Sequence, residues 1–393
     1  MQLKLFLIKE ISCIQLSMSK RSLHILIWTT CMQACGMWVF LHLSSAPAWT
    51  SSTLDIPIAY TAIFPAISGG AAAVGSIFSA RLISRWGTTE SLIGCLILLI
   101  IGISSQMLKS LPLALFGSIL IGLAYAITNP AASALLTTIQ TNRTNLVFSI
   151  KQSGVPFGAA FSMIWGINAT DNSELWVALP IGTLLALILT CPKTKEKVII
   201  SPAAGVFSLW KDPFLSRLLI VGMTYGAVQM IVLGSFPSLI ESGYVSSDSG
   251  FLALAIGNAL GLVGRVFWGL IADRLESSEK ALAIIGLTTC ILVGLLLLLP
   301  GLAPIVFLLA GFVAVGWNGV FHAAIRLRLD DATSTATATV MAYLFASGLM
   351  GQLIFSSILD NFGALLALFA ALVTVIGGTS VAISLAKRDL GQS

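Results

Sequence analysis

The sequence predicts an all-α integral membrane protein of twelve transmembrane helices, arranged as two parallel, pseudo-symmetric six-helix bundles. Three observations predict it. The chain is 57% hydrophobic and only 9% charged over 393 residues, where a soluble domain carries roughly 25% charge. Its apolar residues gather repeatedly into runs of about 20, the length needed to cross a bilayer. Finally, segments recur at one fixed offset. Gly264, Gly269, Asp273 and Arg274 lie 189 positions beyond Gly75, Ala80, Ser84 and Arg85, and the same offset carries Gly122 and Asn129 onto Gly311 and Asn318. GLAYAITNPAAS from Gly122 and GFVAVGWNGVFH from Gly311 are the two copies. A common offset is the mark of two parallel repeats.

Taken in order, residues 1–17 are apolar with Lys4, Lys9 and Glu10, and no small-residue cleavage site follows, which speaks against a signal peptide. Met18-Ser-Lys-Arg reads as a more natural start, leaving the first residues as an artefact of the assigned start or a short interfacial helix. The runs then place spans at 22–43, 57–80, 91–108, 112–137, 146–167, 175–192, 215–240, 249–271, 280–299, 303–325, 337–359 and 363–385. Polar clusters and prolines such as Ala46-Pro47 and Asp171-Asn172-Ser173 punctuate them. This gives an N-terminal segment 1–20, a first bundle 21–192, a linker 193–214, a second bundle 215–386 and a tail 387–393.

Charge fixes the orientation. With the N-terminus in the cytoplasm, Lys20, Arg21, Arg81, Arg85, Arg143, the linker lysines, Arg217, Arg274, Lys280, Arg326, Arg328, Lys387 and Arg388 all fall inside, and Lys109 alone falls outside. Asp55, Asp171, Glu174, Glu241, Asp248 and Asp360 fall outside. This is the positive-inside pattern, and one missed helix would reverse the sides downstream. Both termini are therefore expected in the cytoplasm.

The stretch GNALGLVGRVFWGLIADRLE from Gly257 organises the rest. Gly257, Gly261 and Gly264 form a small-residue face suited to close helix packing in a membrane. Gly269, Asp273 and Arg274 end the helix on a charged edge. This resembles the G-x-x-x-D-R loop motif of the major facilitator superfamily, which follows the second helix of each half on the cytoplasmic side. In the first half the matching place holds Ser84, Arg85 and Gly87, without the aspartate. The resemblance, to a bacterial-type member, covers nearly all of the chain from Lys20 to Lys387. It implies a secondary transporter of the inner (cytoplasmic) membrane that moves a small solute by alternating access, as a monomer and without a cofactor.

Other classes find little support. There is no G-x-S-x-G, H-E-x-x-H or phosphate-binding loop. His24, His42 and His322 sit on separate segments, and the six cysteines show neither zinc nor disulfide spacing. No metal or nucleic acid is expected. An intramembrane enzyme and a transport-dead sensor are the remote alternatives.

Polar residues inside apolar helices are costly, so each is a candidate for lining a pathway or for bonding between helices. They are Gln33, Tyr60, Asn129, Gln152, Tyr225, Gln229, Asn258, Arg265, Asn318, His322 and Gln352. The resemblance puts the first, fourth, seventh and tenth helices around a central cavity, so Asn129 and Asn318 are expected to face each other there. Gln33, Tyr225 and Gln229 are compatible with the same wall. On the fifth span, Gly154, Pro156 and Gly158 resemble a motif of antiporter members, with Val155 intervening. Lys151 near its inner end is read as a snorkelling side chain. No carboxylate lies deep in any span, which leaves His322 as the titratable group suited to carry a proton. Arg265 must find carbonyls, hydroxyls or carboxylates on other helices, or an anionic substrate. Asp273 is expected at the start of the fifth span, near Asn145 to Lys151. Arg265 with Lys151 favours proton-coupled uptake of a small organic anion; the fifth-span motif favours proton-driven efflux of an amphipathic compound.

Overall fold

The computed structural model describes residues 19–56, 61, 63–167, 173–193, 208–245, 247–329 and 333–389. The described residues form helices and connections, with no strand among them. The first half comprises α1 (Lys20–Leu41), α2 (Pro47–Leu54), α3 (Ile63–Trp86), α4 (Thr88–Gln106), α5 (Leu111–Leu136), α6 (Thr144–Ile167) and α7 (Ser173–Leu189). The second comprises α8 (Pro213–Met230), a π turn at Ile231–Ser235 continuing into α9 (Phe236–Glu241), then α10 (Ser247–Arg274), α11 (Ser278–Leu298), α12 (Ala303–Ala314), α13 (Asn318–Leu329), α14 (Thr333–Phe362) and α15 (Ala364–Asp389). Among the described residues, nine helical stretches are long and apolar enough to cross a membrane.

Local chemistry sets the boundaries. Asp212 caps α8 by accepting from the Phe214 and Leu215 N–H groups at 2.8 and 3.0 Å, with Pro213 at the first helical position. Ser277 caps α11 in the same way. Gly87 (φ +95°) and Gly363 (φ +87°) turn the chain between α3 and α4 and between α14 and α15, a conformation that disfavours a Cβ.

Three features depart from the sequence reading. The tenth span is broken at 315–317 into α12 and α13, and the Pro47–Ser51 region forms the short helix α2 instead of a loop. The second span runs on past Arg81 and Arg85 to Trp86, because only Gly87 stops it.

Each half has its own apolar core. One cluster runs from Leu215 to Leu385. Another runs from Ile25 to Leu187 and reaches across only to Ala323. Glycine contacts repeat between them. A methyl at Gly122 would strike the Ser68 carbonyl, and one at Gly311 would strike the Gly257 carbonyl, its counterpart under the 189-residue offset. Gly75 faces Leu123 as Gly264 faces Phe312, again at that offset. Between the halves, α6 packs against α10 and α13, and α14 packs against α3 and α5.

Candidate functional site

The first turns of α6 lie between α10 and α13, and the polar site is built along that contact. At its start, Asp273 meets the N-terminus of α6. Its Oδ1 accepts from the Asn145 N–H at 3.1 Å and from Asn145 Nδ2 at 2.8 Å, and its Oδ2 accepts from the Leu146 N–H at 3.0 Å. A carboxylate at a helix N-terminus satisfies exposed N–H groups and complements the helix dipole. Arg143 lies within electrostatic reach. The Asn145 Oδ1 in turn accepts from Ser278 Oγ at 2.8 Å. Arg326 of α13 reaches the other way, donating to Thr144 Oγ1 and the Thr137 carbonyl at 3.2 Å each. The counterpart of Asp273 in the first half makes no such contact: Ser84 is exposed and donates to the Arg81 carbonyl of its own helix.

One turn further along α6, Ser149 is seated between two glycines. A Cβ at Gly269 would lie 2.7 Å from the Ser149 Cβ, and one at Gly319 would lie 2.8 Å from it. The backbones therefore approach closely on both sides.

Deeper still, at about 12 Å from Asp273 by helical rise, sits Arg265, fully buried. Its Nε donates to the Val315 carbonyl at 3.0 Å, within the break between α12 and α13. Its Nη1 donates to the Gln152 carbonyl, across the divide between the halves. The availability of that carbonyl has a cause in the sequence. Gln152 lies four residues before Pro156, and proline has no N–H to return to it. Pro156 thus frees the acceptor that Arg265 uses. Nη2 of Arg265 has no partner.

Lys151 is also fully buried. It does not snorkel; its Nζ donates to Asn129 Oδ1 on α5, which also accepts from Gln152 Nε2 at 3.3 Å. Asn129 on the neighbouring α5 gives the ammonium an acceptor inside the fold. His322 of α13 is fully buried with neither ring nitrogen partnered, and it lies within electrostatic reach of Lys151 and Arg265. Asn318 Oδ1 is buried and unpartnered at the start of α13. Asn129, Lys151, Gln152, Arg265 and His322 are thus brought together where the halves meet. No Asp or Glu is buried among the described residues.

The other candidates are distributed. Gln33 on α1 donates to the Tyr125 hydroxyl at 2.7 Å. Tyr125 itself, one turn before Asn129 and within electrostatic reach of Arg265, was not singled out by sequence reasoning; its place on the Asn129 face was the available signal. Gln229 accepts from Trp317 Nε1 at 2.8 Å, at the break before α13. Tyr225 points into the second half, donating to the Leu282 carbonyl at 3.0 Å. Asn258 Oδ1 is buried without a partner. Tyr60 lies outside the described residues. Gly154 and Gly158 press α6 onto the backbone of α1 at Thr30 and Ala34. Among the described residues no group of three or more His, Cys, Asp or Glu is placed to hold a metal ion.

A family model described as Major Facilitator Superfamily matches residues 26–356. No curated protein sequence matches the chain. Among solved structures, the human organic anion transporter MFSD10 (TETRAN) is similar at 13% identity, covering 93% of this chain and all of that one, with a TM-score of 0.73. A bacterial homologue of the iron transporter ferroportin, in an outward-facing state, is similar at 12% identity over 94% of this chain and all of that one, with a TM-score of 0.70.

Proposed function

Since the chain belongs to the major facilitator superfamily, we propose that it takes up a small organic anion together with protons, by alternating access. Membrane transport follows from the family; the substrate class, direction and coupling rest on the site. The observation that carries them is the meeting of Arg265, Lys151 and His322, buried together without an acid among the described buried residues. Burying cations is expensive unless something negative compensates them, and an anionic substrate is the natural complement. The human structural relative, described as an organic anion transporter, agrees in class. Asn129 and Gln152 supply neutral contacts beside the cations, and His322 takes the coupling proton only while the anion is bound, since a third uncompensated cation there would be costly.

In this reading the halves span 21–192 and 215–386, joined by a cytoplasmic linker at 193–214. The chain works as a monomer in the inner membrane with both termini in the cytoplasm, as the distribution of basic residues favours. Uptake of a radiolabelled carboxylate panel into vesicles tests it: accumulation should rise when an inward proton gradient is imposed. A second reading, proton-driven efflux of an amphipathic compound, draws on Gly154 and Gly158, which seat α6 directly on α1. Loss of a preloaded amphipathic dye on acidifying the outer side, with no carboxylate uptake, would favour it.

A further inference from the structure

We infer that the site takes a doubly charged small anion, held between Lys151 of the first half and Arg265 of the second. This rests on the anion reading above and adds the charge of the ligand. Both side chains are fully buried. They belong to opposite halves and lie within electrostatic reach of each other. Among the described residues each is occupied only by neutral oxygens: Lys151 by Asn129 Oδ1, Arg265 by the carbonyls of Val315 and Gln152.

Donors remain to be used. Arg265 Nη2 has no partner, and neither ring nitrogen of His322 has one. An ammonium has three hydrogens, and Lys151 spends one on Asn129. Leaving buried donors unmade is costly. A monoanion on Arg265 leaves the Lys151 charge uncompensated in a low-dielectric setting. An anion with two charges neutralises both cations at once and draws the two halves together through the ligand. A dicarboxylate and a phosphate share this chemistry.

The test uses the full chain in proteoliposomes and counterflow of labelled butyrate, succinate and inorganic phosphate. Succinate or phosphate should be favoured over butyrate by roughly tenfold or more, the worth of an added charged hydrogen bond; which of the two is moved identifies the source. In Lys151→Gln the ratio of succinate or phosphate to butyrate should fall to about one, the added charged bond being gone. Asn129→Asp provides a second measurement should Lys151→Gln fail to fold. Its fixed carboxylate neutralises Lys151 internally, so butyrate should become the preferred ion. Equal handling of butyrate, succinate and phosphate by the unaltered protein overturns the inference while leaving anion transport standing; that is the outcome if Lys151 sheds its proton and Arg265 binds alone. A preference that survives both variants overturns it in the same way. Failure to move any of the three ions overturns both readings.

Discussion

Arg265 is held by two backbone carbonyls that the local sequence leaves open, one at the helix break and one four residues before a proline. A planar guanidinium reaches both at once, and a lysine amine cannot reproduce that fork. Arg265→Lys and Arg265→Gln should therefore both lower the melting temperature, each abandoning at least one carbonyl at about 1–3 kcal/mol. They should part on substrate: the lysine variant should retain weakened anion binding, and the glutamine variant should lose it. Equal affinity in both, at the lowered stability, would make Arg265 a brace only. Pro156→Ala restores an N–H to the Gln152 carbonyl, which then competes with Arg265. Hydrogen exchange at the amide so introduced should show protection, and cysteine accessibility at the Asp273 end should increase. Much of this was hidden in the sequence. Arg265 was legible as a side chain needing acceptors, because its depth in an apolar helix demanded them. The acceptors were backbone atoms 50 and 113 positions away in the chain, and no residue type announces those. Lys151 was misread for a related reason: a lysine two turns into a helix can snorkel or turn inward, and only the neighbouring helices decide.

At the scale of elements, closure at the Asp273 end depends on one helix start. The carboxylate takes three hydrogen bonds from Asn145 and Leu146. The pseudo-symmetric position offers only the exposed Ser84. Asp273→Asn removes the charge that complements the dipole of α6, a loss of about 0.3–1 kcal/mol and up to about 2 in partly buried settings. A change of about 1.4 kcal/mol moves a two-state balance tenfold. Asp273→Asn should accordingly increase labelling of site cysteines from the cytoplasmic side, and Ser84→Asp should decrease it. Unchanged labelling in Asp273→Asn at normal expression would make Asp273 a bystander. The Asp-Arg edge was readable because a charged end on an apolar helix is conspicuous. The break between α12 and α13 was not, because Val315, Gly316 and Trp317 continue the apolar run without a charge or proline to mark it. The helix α2 was missed because Pro47 and the serines after it carry turn composition.

For the molecule as a whole, the two halves were legible because their packing obeys the same arithmetic as their sequences. Gly122 against Ser68 and Gly311 against Gly257 are one contact made twice. Spans followed from apolar length, and the basic residues carry the proposed sidedness. That sidedness predicts a labelling pattern. Single cysteines at 171 and 247, in a background without native thiols, should react with an impermeant reagent from outside the cell, and a cysteine at 195 should not. Reaction at 195 in sealed cells would overturn the proposed orientation.

Ser149 between Gly269 and Gly319 has a kinetic meaning as well. At these three positions the helices meet over backbone and one small side chain. Such a joint seals while closed, and bulk added at these three positions should slow the transport cycle. Ser149→Leu should act as a doorstop: substrate binding on the cytoplasmic side should persist, counterflow should slow by roughly fivefold or more if the wedge costs the usual 1–3 kcal/mol of overpacking, and the protein should be held with that side ajar, offering a way to capture the other half of its cycle.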